Sequence, residues 1–200
     1  AAVGKDGHVY CPPSAASRVL RIHKATGHVE LIGPDFGSGG GGKWWAAVAV
    51  NDEFIYCPPF DASQILRIEP RTGCARLIGP DLGVAAAKWG AAVAGGDGYV
   101  YCPPFSAARV LRIQISTGSA DLIGPDFGVG GGKWEAAALG GDGNIYCPPL
   151  CATRVLCIEP ETGRVALIGP DLGSFGGKWA AAGAGGGGGG GGGEPPLGNE

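Results

Sequence analysis

Lysine stands beside tryptophan four times in this chain, at Lys43-Trp44, Lys88-Trp89, Lys133-Trp134 and Lys178-Trp179. A cation next to a large rigid ring suits a binding rim, because tryptophan is favoured at binding hot spots and lysine attracts anions. The same residues can instead serve packing, with the indole anchored between structural units and the ammonium in water. Cysteine precedes a proline pair four times, at Cys11, Cys57, Cys102 and Cys147. An exposed thiol there would be a nucleophile or a metal ligand, whereas a buried one is a small apolar residue. Aspartate follows Gly-Pro at Asp35, Asp81, Asp126 and Asp171. It could hold a cation, or it could cap the turn after the proline by bonding its own backbone. The three histidines all fall early, at His8, His23 and His28, and His23 and His28 flank a Thr-Gly turn where they can pair across strands.

Most of these groups weigh toward the structural reading. One carboxylate or one thiol per unit leaves the copies far apart, since packed sheets lie about 10 Å from each other and a disulfide needs Cα atoms within about 7 Å. Cys74, Cys151 and Cys157 break the pattern. A three-cysteine metal site from Cys147, Cys151 and Cys157 lacks a fourth ligand at zinc-like spacing. No carboxylate or cysteine lies at ligand spacing from the histidine pair. Gly37 to Gly42 followed by Lys43 imitates a phosphate loop. Trp44 stands where Ser or Thr must hold magnesium, and an apolar strand follows instead of a helix. Nucleotide binding is rejected on that ground, and no cofactor and no metal are expected.

Composition narrows the classes further. The 200 residues include 41 Gly and 16 Pro, with 16% charged and a formal net charge of -3. That balance gives no basic footprint for nucleic acid. No apolar run approaches the roughly 20 residues of a membrane helix, and no secretory leader is visible at the first residues. So much Gly and Pro without a period would mean disorder, but here there is a period. Tyr-Cys-Pro-Pro starts at Tyr10, Tyr56, Tyr101 and Tyr146, at intervals of 46, 45 and 45 residues, and the one extra residue is a glycine before Lys43.

Each unit reads as four short strands. The first is the apolar run after Lys-Trp, such as Ala91-Ala92-Val93-Ala94. Asp97-Gly98 then signals a hairpin. Tyr99-Val100-Tyr101-Cys102 is the second strand, stopped by prolines that cannot join a ladder. Arg109 to Ile113 is the third. The turn at Thr117-Gly118 leads to the fourth, Ala120 to Ile123. Four short antiparallel strands every 45 residues match a propeller blade. Asp-Gly-x-(Ile/Val)-Tyr, Arg-Val-Leu-Arg-Ile, Thr-Gly and Leu-Ile-Gly-Pro together resemble β-propeller repeats of the NHL, YVTN and gluconolactonase-like kind. The resemblance implies an all-β propeller over residues 1–184, with a Gly-rich disordered tail at 185–200. Residues 178–184 copy a first strand, so the four blades either close into a ring through that strand or form an arc of a larger propeller.

In such a meander the Asp-Gly and Thr-Gly turns share one face of the propeller. The opposite face carries Pro-Pro, Gly-Pro-Asp, the Gly-rich stretch and Lys-Trp. Function tends to sit on longer loops held by a rigid scaffold. The expected function is therefore a non-enzymatic binding or scaffold module. Its candidate ligand-binding residues are Lys43, Trp44, Lys88, Trp89, Lys133, Trp134, Lys178 and Trp179, and its partner a protein or an anionic or carbohydrate ligand, not nucleic acid or a membrane. Two alternatives stand beside it: a metal-dependent, lactonase-like propeller hydrolase, and a repeat segment with no site of its own. The hydrolase needs convergent polar groups in the channel, yet the channel strands read Ala-Ala-Val and the like. The thiol pattern favours a reducing compartment.

Overall fold

The structure is a computed structural model that describes residues 1–51 and 53–179. Sixteen strands form four antiparallel sheets of four, each a simple meander. The first blade is β1 (Ala2–Val3), β2 (Val9–Cys11), β3 (Val19–Ile22) and β4 (Val29–Ile32). The second is β5 (Val48–Val50), β6 (Phe54–Cys57), β7 (Ile65–Glu69) and β8 (Cys74–Ile78). The third is β9 (Val93–Ala94), β10 (Tyr99–Cys102), β11 (Val110–Gln114) and β12 (Ala120–Ile123). The fourth is β13 (Ala138–Leu139), β14 (Ile145–Cys147), β15 (Val155–Glu159) and β16 (Arg164–Ile168). There is no helix among the described residues. This is the β-propeller architecture that the repeat indicates.

The turns follow from side chains that bond their own backbone. Asp6, Asp97 and Asp142 each accept the N–H two residues on, at 3.0, 3.1 and 3.1 Å. Each also accepts the hydroxyl of Tyr10, Tyr101 or Tyr146 at 2.7 Å, tying the first hairpin to the second strand. Thr26, Thr72, Thr117 and Thr162 close the other hairpin in the same way. The glycine after each threonine has φ between 68° and 76°, a left-handed conformation that glycine adopts without steric cost.

Strand alternation gives each blade two unlike faces. One carries the tyrosine, and the other carries the cysteine. The tyrosine face of each blade packs on the cysteine face of the next. Tyr10, Val19 and Ile32 meet Ile55, Cys57, Leu66 and Ile68. Val50, Tyr56 and Ile65 meet Val100, Cys102, Leu111 and Ile113. Tyr101 and Val110 meet Ile145, Cys147, Leu156 and Ile158. The innermost strands β1, β5, β9 and β13 touch in that order.

Among the described residues the four sheets do not close into a ring. The first blade already has four strands of its own, with β1 beside β2. Lys178 and Trp179 join no strand, and residues 180–184 lie outside the described residues, as does the Gly-rich tail. Among the described residues, no blade lies against the cysteine face of the first blade or the tyrosine face of the fourth.

Candidate functional site

The loop face is assembled by a backbone relay that alternates between Lys-Trp segments and the residues after Pro-Pro. The Lys43 N–H donates to the Ser14 carbonyl (3.2 Å), and the Phe60 N–H donates to the Lys43 carbonyl (3.0 Å). Lys88 then donates to Phe60, Phe105 to Lys88, Lys133 to Phe105, Leu150 to Lys133 and Lys178 to Leu150, all within 2.7–3.1 Å. The relay crosses every inter-blade gap. Isolated bridges from Trp44 to Pro59 and from Trp89 to Pro104 sit along it. The proline pairs and the Lys-Trp pairs therefore share one face and are joined through their main chains.

The eight candidate binding residues sit in this relay, with their side chains turned as follows. Trp44, Trp89 and Trp134 are buried to within 3% of full burial between successive blades. Their Nε1–H groups donate to the carbonyls of Gln64, Arg109 and Arg154 at 2.9, 3.0 and 3.1 Å. Phe36 and Phe127 meet Trp44 and Trp134 edge-on at 5.3 and 5.1 Å. Lys88 and Lys133 are buried, and Lys43 and Lys178 are half-buried. Every one of these ammoniums donates to the loop that precedes it: Lys43 to Gly37, Lys88 to Ala85, Lys133 to Gly128 and Gly130, and Lys178 to Phe175, at 2.7–2.9 Å. Burial pulls the Lys88 and Lys133 ammoniums below the ordinary lysine range, because desolvation disfavours the charged form. The lysines thus shape the loops, and Trp179, exposed to 46%, is the member of the set with an open ring.

Other side chains open the face to solvent. Trp45 is 57% exposed and packs on Phe60 at 4.7 Å between ring centroids. Phe60 packs on Phe105 at 5.6 Å, which makes a row of three rings across the first two inter-blade gaps. Beside the row lies a groove of about 640 Å³ lined by Leu82, Ala85, Trp89, Ala107, Leu122 and Val129. Lys88 and Arg109 line it as well. Sequence reasoning passed over Trp45, Phe60 and Phe105 because it followed what recurs. Trp45 has Gly90 and Glu135 at the matching positions, and Phe60 has Ser14 and Leu150. The usable signal was that departure from the repeat.

The remaining chemical candidates serve structure. Asp35, Asp81, Asp126 and Asp171 each accept the N–H two residues on at 2.7–2.8 Å, capping the turn after proline. Arg21 and Arg112 pair within their own blades, with Glu30 and Asp121. Arg67 lies over the Phe54 ring at 4.5 Å. His8, His23 and His28 pack in a row of tilted rings, with centroids 4.1 and 5.4 Å apart, and His23 bonds Glu30, so that, against the sequence expectation, a carboxylate does lie beside the histidine pair. His23 and Arg21 hold the Glu30 carboxyl down to about 2. Among the described residues no cluster of three or more His, Cys, Asp or Glu is placed to hold a metal ion.

All seven cysteines are free. Cys57, Cys102 and Cys147 are fully buried, and burial pushes their thiols well above the ordinary range. Cys11 departs from the expectation of burial: it is half-buried, and no blade among the described residues covers the first cysteine face. Native-state thiol titration should therefore leave Cys57, Cys102 and Cys147 unlabelled while Cys74 reacts at once and Cys11 and Cys151 follow. Rapid labelling of Cys102 before unfolding would contradict this packing.

Burial, with Asp6 accepting its hydroxyl, pushes Tyr10 up to about 12. Burial and Asp97 push Tyr101 up as well. A folded pKa above the unfolded value means that stability is fully present below about pH 10 and is lost as pH climbs through about 12. Tyrosinate absorbance should accordingly rise for Tyr10 and Tyr101 only together with unfolding. Smooth ionisation of all five tyrosines near pH 10 in the folded state would refute it.

Several solved structures share this fold. A catalytically inactive virginiamycin B lyase from Staphylococcus aureus, solved with quinupristin, superposes with a TM-score of 0.65 at 16% identity, over 86% of this chain and 56% of that one. The extracellular domain of a one-component system from B. thetaiotaomicron gives 0.59 at 13% identity, over 86% of this chain and 24% of that one. Hydrazine synthase from Kuenenia stuttgartiensis gives 0.59 at 12% identity, over 82% and 46%. The chain spans about half the length of the lyase or less of the others. No family model and no curated protein matches the sequence. The likeness shows a propeller fold shared by proteins of varied function.

Proposed function

We propose that the protein is a non-enzymatic binding module whose loop face, the one carrying the Lys-Trp and Pro-Pro segments, receives a protein segment with apolar anchors. The observation that carries this reading is the exposed Trp45 ring packed on the half-buried Phe60, which packs on the half-buried Phe105, with an apolar groove that begins at Ser106, next to Phe105. Large rigid rings and a mostly apolar depression are what anchor side chains need. Of the eight Lys and Trp residues, Lys88 and Trp89 line that groove. The others hold the loops and blades that position it, and Trp179 adds a second open ring. Because the ammoniums are engaged by loop carbonyls, the reading favours an apolar partner over a polyanion. The innermost strands carry only Ala, Val and Leu. A lactonase-like hydrolase would have to place its acid–base groups and metal ligands there.

The test is selection from a displayed peptide library on the wild-type chain. Enriched peptides should carry aromatic or aliphatic anchors and lose at least about tenfold in affinity on Trp45→Ala or Val129→Asp, roughly 1.4 kcal/mol. Asp97→Ala and Asp142→Ala, on the opposite face, should leave binding unchanged. Loss confined to those two variants would place the site on the wrong face and sink the proposal.

A further inference from the structure

Each blade places one polar residue immediately before its third strand: Arg18, Gln64, Arg109 and Arg154. In three of them the side chain clamps its own blade. Arg18 Nε donates to the Gly33 carbonyl at 3.0 Å, Gln64 Nε2 to Gly79 at 3.2 Å and Arg154 Nε to Gly169 at 2.9 Å. The matching acceptor for Arg109 is the Gly124 carbonyl. Yet the Arg109 guanidinium has no hydrogen-bond or ion-pair partner among the described residues. It is exposed and lines the groove of about 640 Å³ instead. We infer that this groove takes an acidic–apolar peptide segment, with an Asp or Glu side chain of the partner paired to Arg109 beside an apolar anchor. The inference rests on the binding reading above and adds the charge that the occupant must carry.

The groove wall departs from the repeat at the same gap. Val84-Ala85-Ala86-Ala87 stands where the next loop has Val129-Gly130-Gly131-Gly132. Ala87 takes φ of 57°, close to the 53° of Gly132, although a Cβ is disfavoured in that region. The alanine methyls share the wall with Leu122 and Val129, which are 47% and 86% exposed. An apolar depression with one placed polar group fixes both the burial and the orientation of what enters it.

Charge at this gap singles out one carboxylate. Lys88 gives its ammonium to the Ala85 carbonyl, and Asp61 and Asp81 lie near enough to favour its charged form. Of the two cations in the lining, Arg109 is the one left without a counterpart among the described residues. A guanidinium fork matches a carboxylate through two parallel bonds. A phosphate would bring more charge than Arg109 offsets, with Asp81 close to Lys88 opposing it. The carboxylate belongs to a side chain and not to a chain end. A terminal carboxylate is captured by main-chain N–H nests, and N–H groups at this groove are already engaged. Ala87 donates to Asp61, Ser106 to Ala87, Ala107 to Lys88 and Gly130 to Ser106, at 2.7–3.2 Å.

A displayed library of random peptides is selected in parallel on the wild-type chain and on Arg109→Gln. Gln is the native residue at the equivalent position of the second blade, Gln64, so the scaffold accepts it. Wild-type selections should enrich Asp or Glu beside an aromatic or aliphatic anchor. Arg109→Gln selections should keep the anchor and lose the acid. A synthetic peptide from the wild-type selection should lose about fivefold in affinity on Arg109→Gln, as for a partly exposed bidentate ion pair. Changing its acid to the amide should cost the same on the wild type and nothing further on Arg109→Gln, because paired groups give non-additive losses. Arg154→Gln, at a side chain already engaged, should bind as the wild type does, and amidating the peptide's C-terminus should leave affinity unchanged. Anchored peptides with no preference for an acid overturn the inference while the apolar site stands. So do equal acid-to-amide losses on the wild type and Arg109→Gln, a loss caused by C-terminal amidation, or tighter binding with phosphoserine in place of the acid. Selections without anchored peptides, or binding indifferent to Trp45→Ala, sink the site itself and the inference with it.

Discussion

Trp134→Ala is expected to remove about 3–5 kcal/mol of stability, the range for deleting a buried aromatic side chain from a core. Trp134 is 2% exposed. It holds Phe127 edge-on at 5.1 Å and satisfies the Arg154 carbonyl at 3.1 Å. Its removal opens a cavity between the third and fourth blades and leaves that carbonyl without its donor. A domain of this size has about 5–15 kcal/mol in total, so the variant should unfold at a far lower denaturant midpoint. Trp45→Ala is the matched control. Its ring is 57% exposed, and surface positions usually change stability by less than about 0.5 kcal/mol. Equilibrium urea unfolding of the two variants decides the matter. A Trp134→Ala midpoint within experimental error of Trp45→Ala would mean that the indole does not hold the blades together.

The contrast between those two tryptophans also marks where the sequence was legible. Repetition exposes whatever the scaffold requires of every blade. Tyr-Cys-Pro-Pro gave strand, face and stop at once, since adjacent residues of a strand point to opposite faces, and the structure packs Tyr56 one way and Cys57 the other. The Asx turns at Asp35 and its copies and the apolar inner strands were equally plain. What repetition hides is which copies lack a neighbour. Cys11 and Cys57 are the same residue in the same motif, yet one is half-exposed and the other fully buried. No local pattern distinguishes them, because the difference lies in the presence of a blade on one side. Likewise Lys-Trp reads equally well as a rim or as an anchor. The outcome depended on the direction of the indole, which spacing does not encode. The exposed ring at Trp45 stood outside the repeat.

The second large effect is expected from Gly124→Ala set against Gly169→Ala. Both glycines follow the fourth strand of their blade, with φ of 78° and 74°. Either substitution forces an L-residue into the left-handed region, at a cost of about 1–2 kcal/mol. Only at position 124 does the added methyl also meet a neighbour, 2.7 Å from the Cβ of Val165 on the next blade. That separation is too short for any pair of carbons, and both are fixed to backbone, so the third and fourth blades must part. Overpacking of this kind adds about 1–3 kcal/mol. Gly124→Ala should therefore lose about 2–5 kcal/mol in all, and Gly169→Ala only the backbone share. The difference between their urea midpoints measures how tightly fourth strands abut. Equal midpoints for the two variants would show that the blades do not meet there.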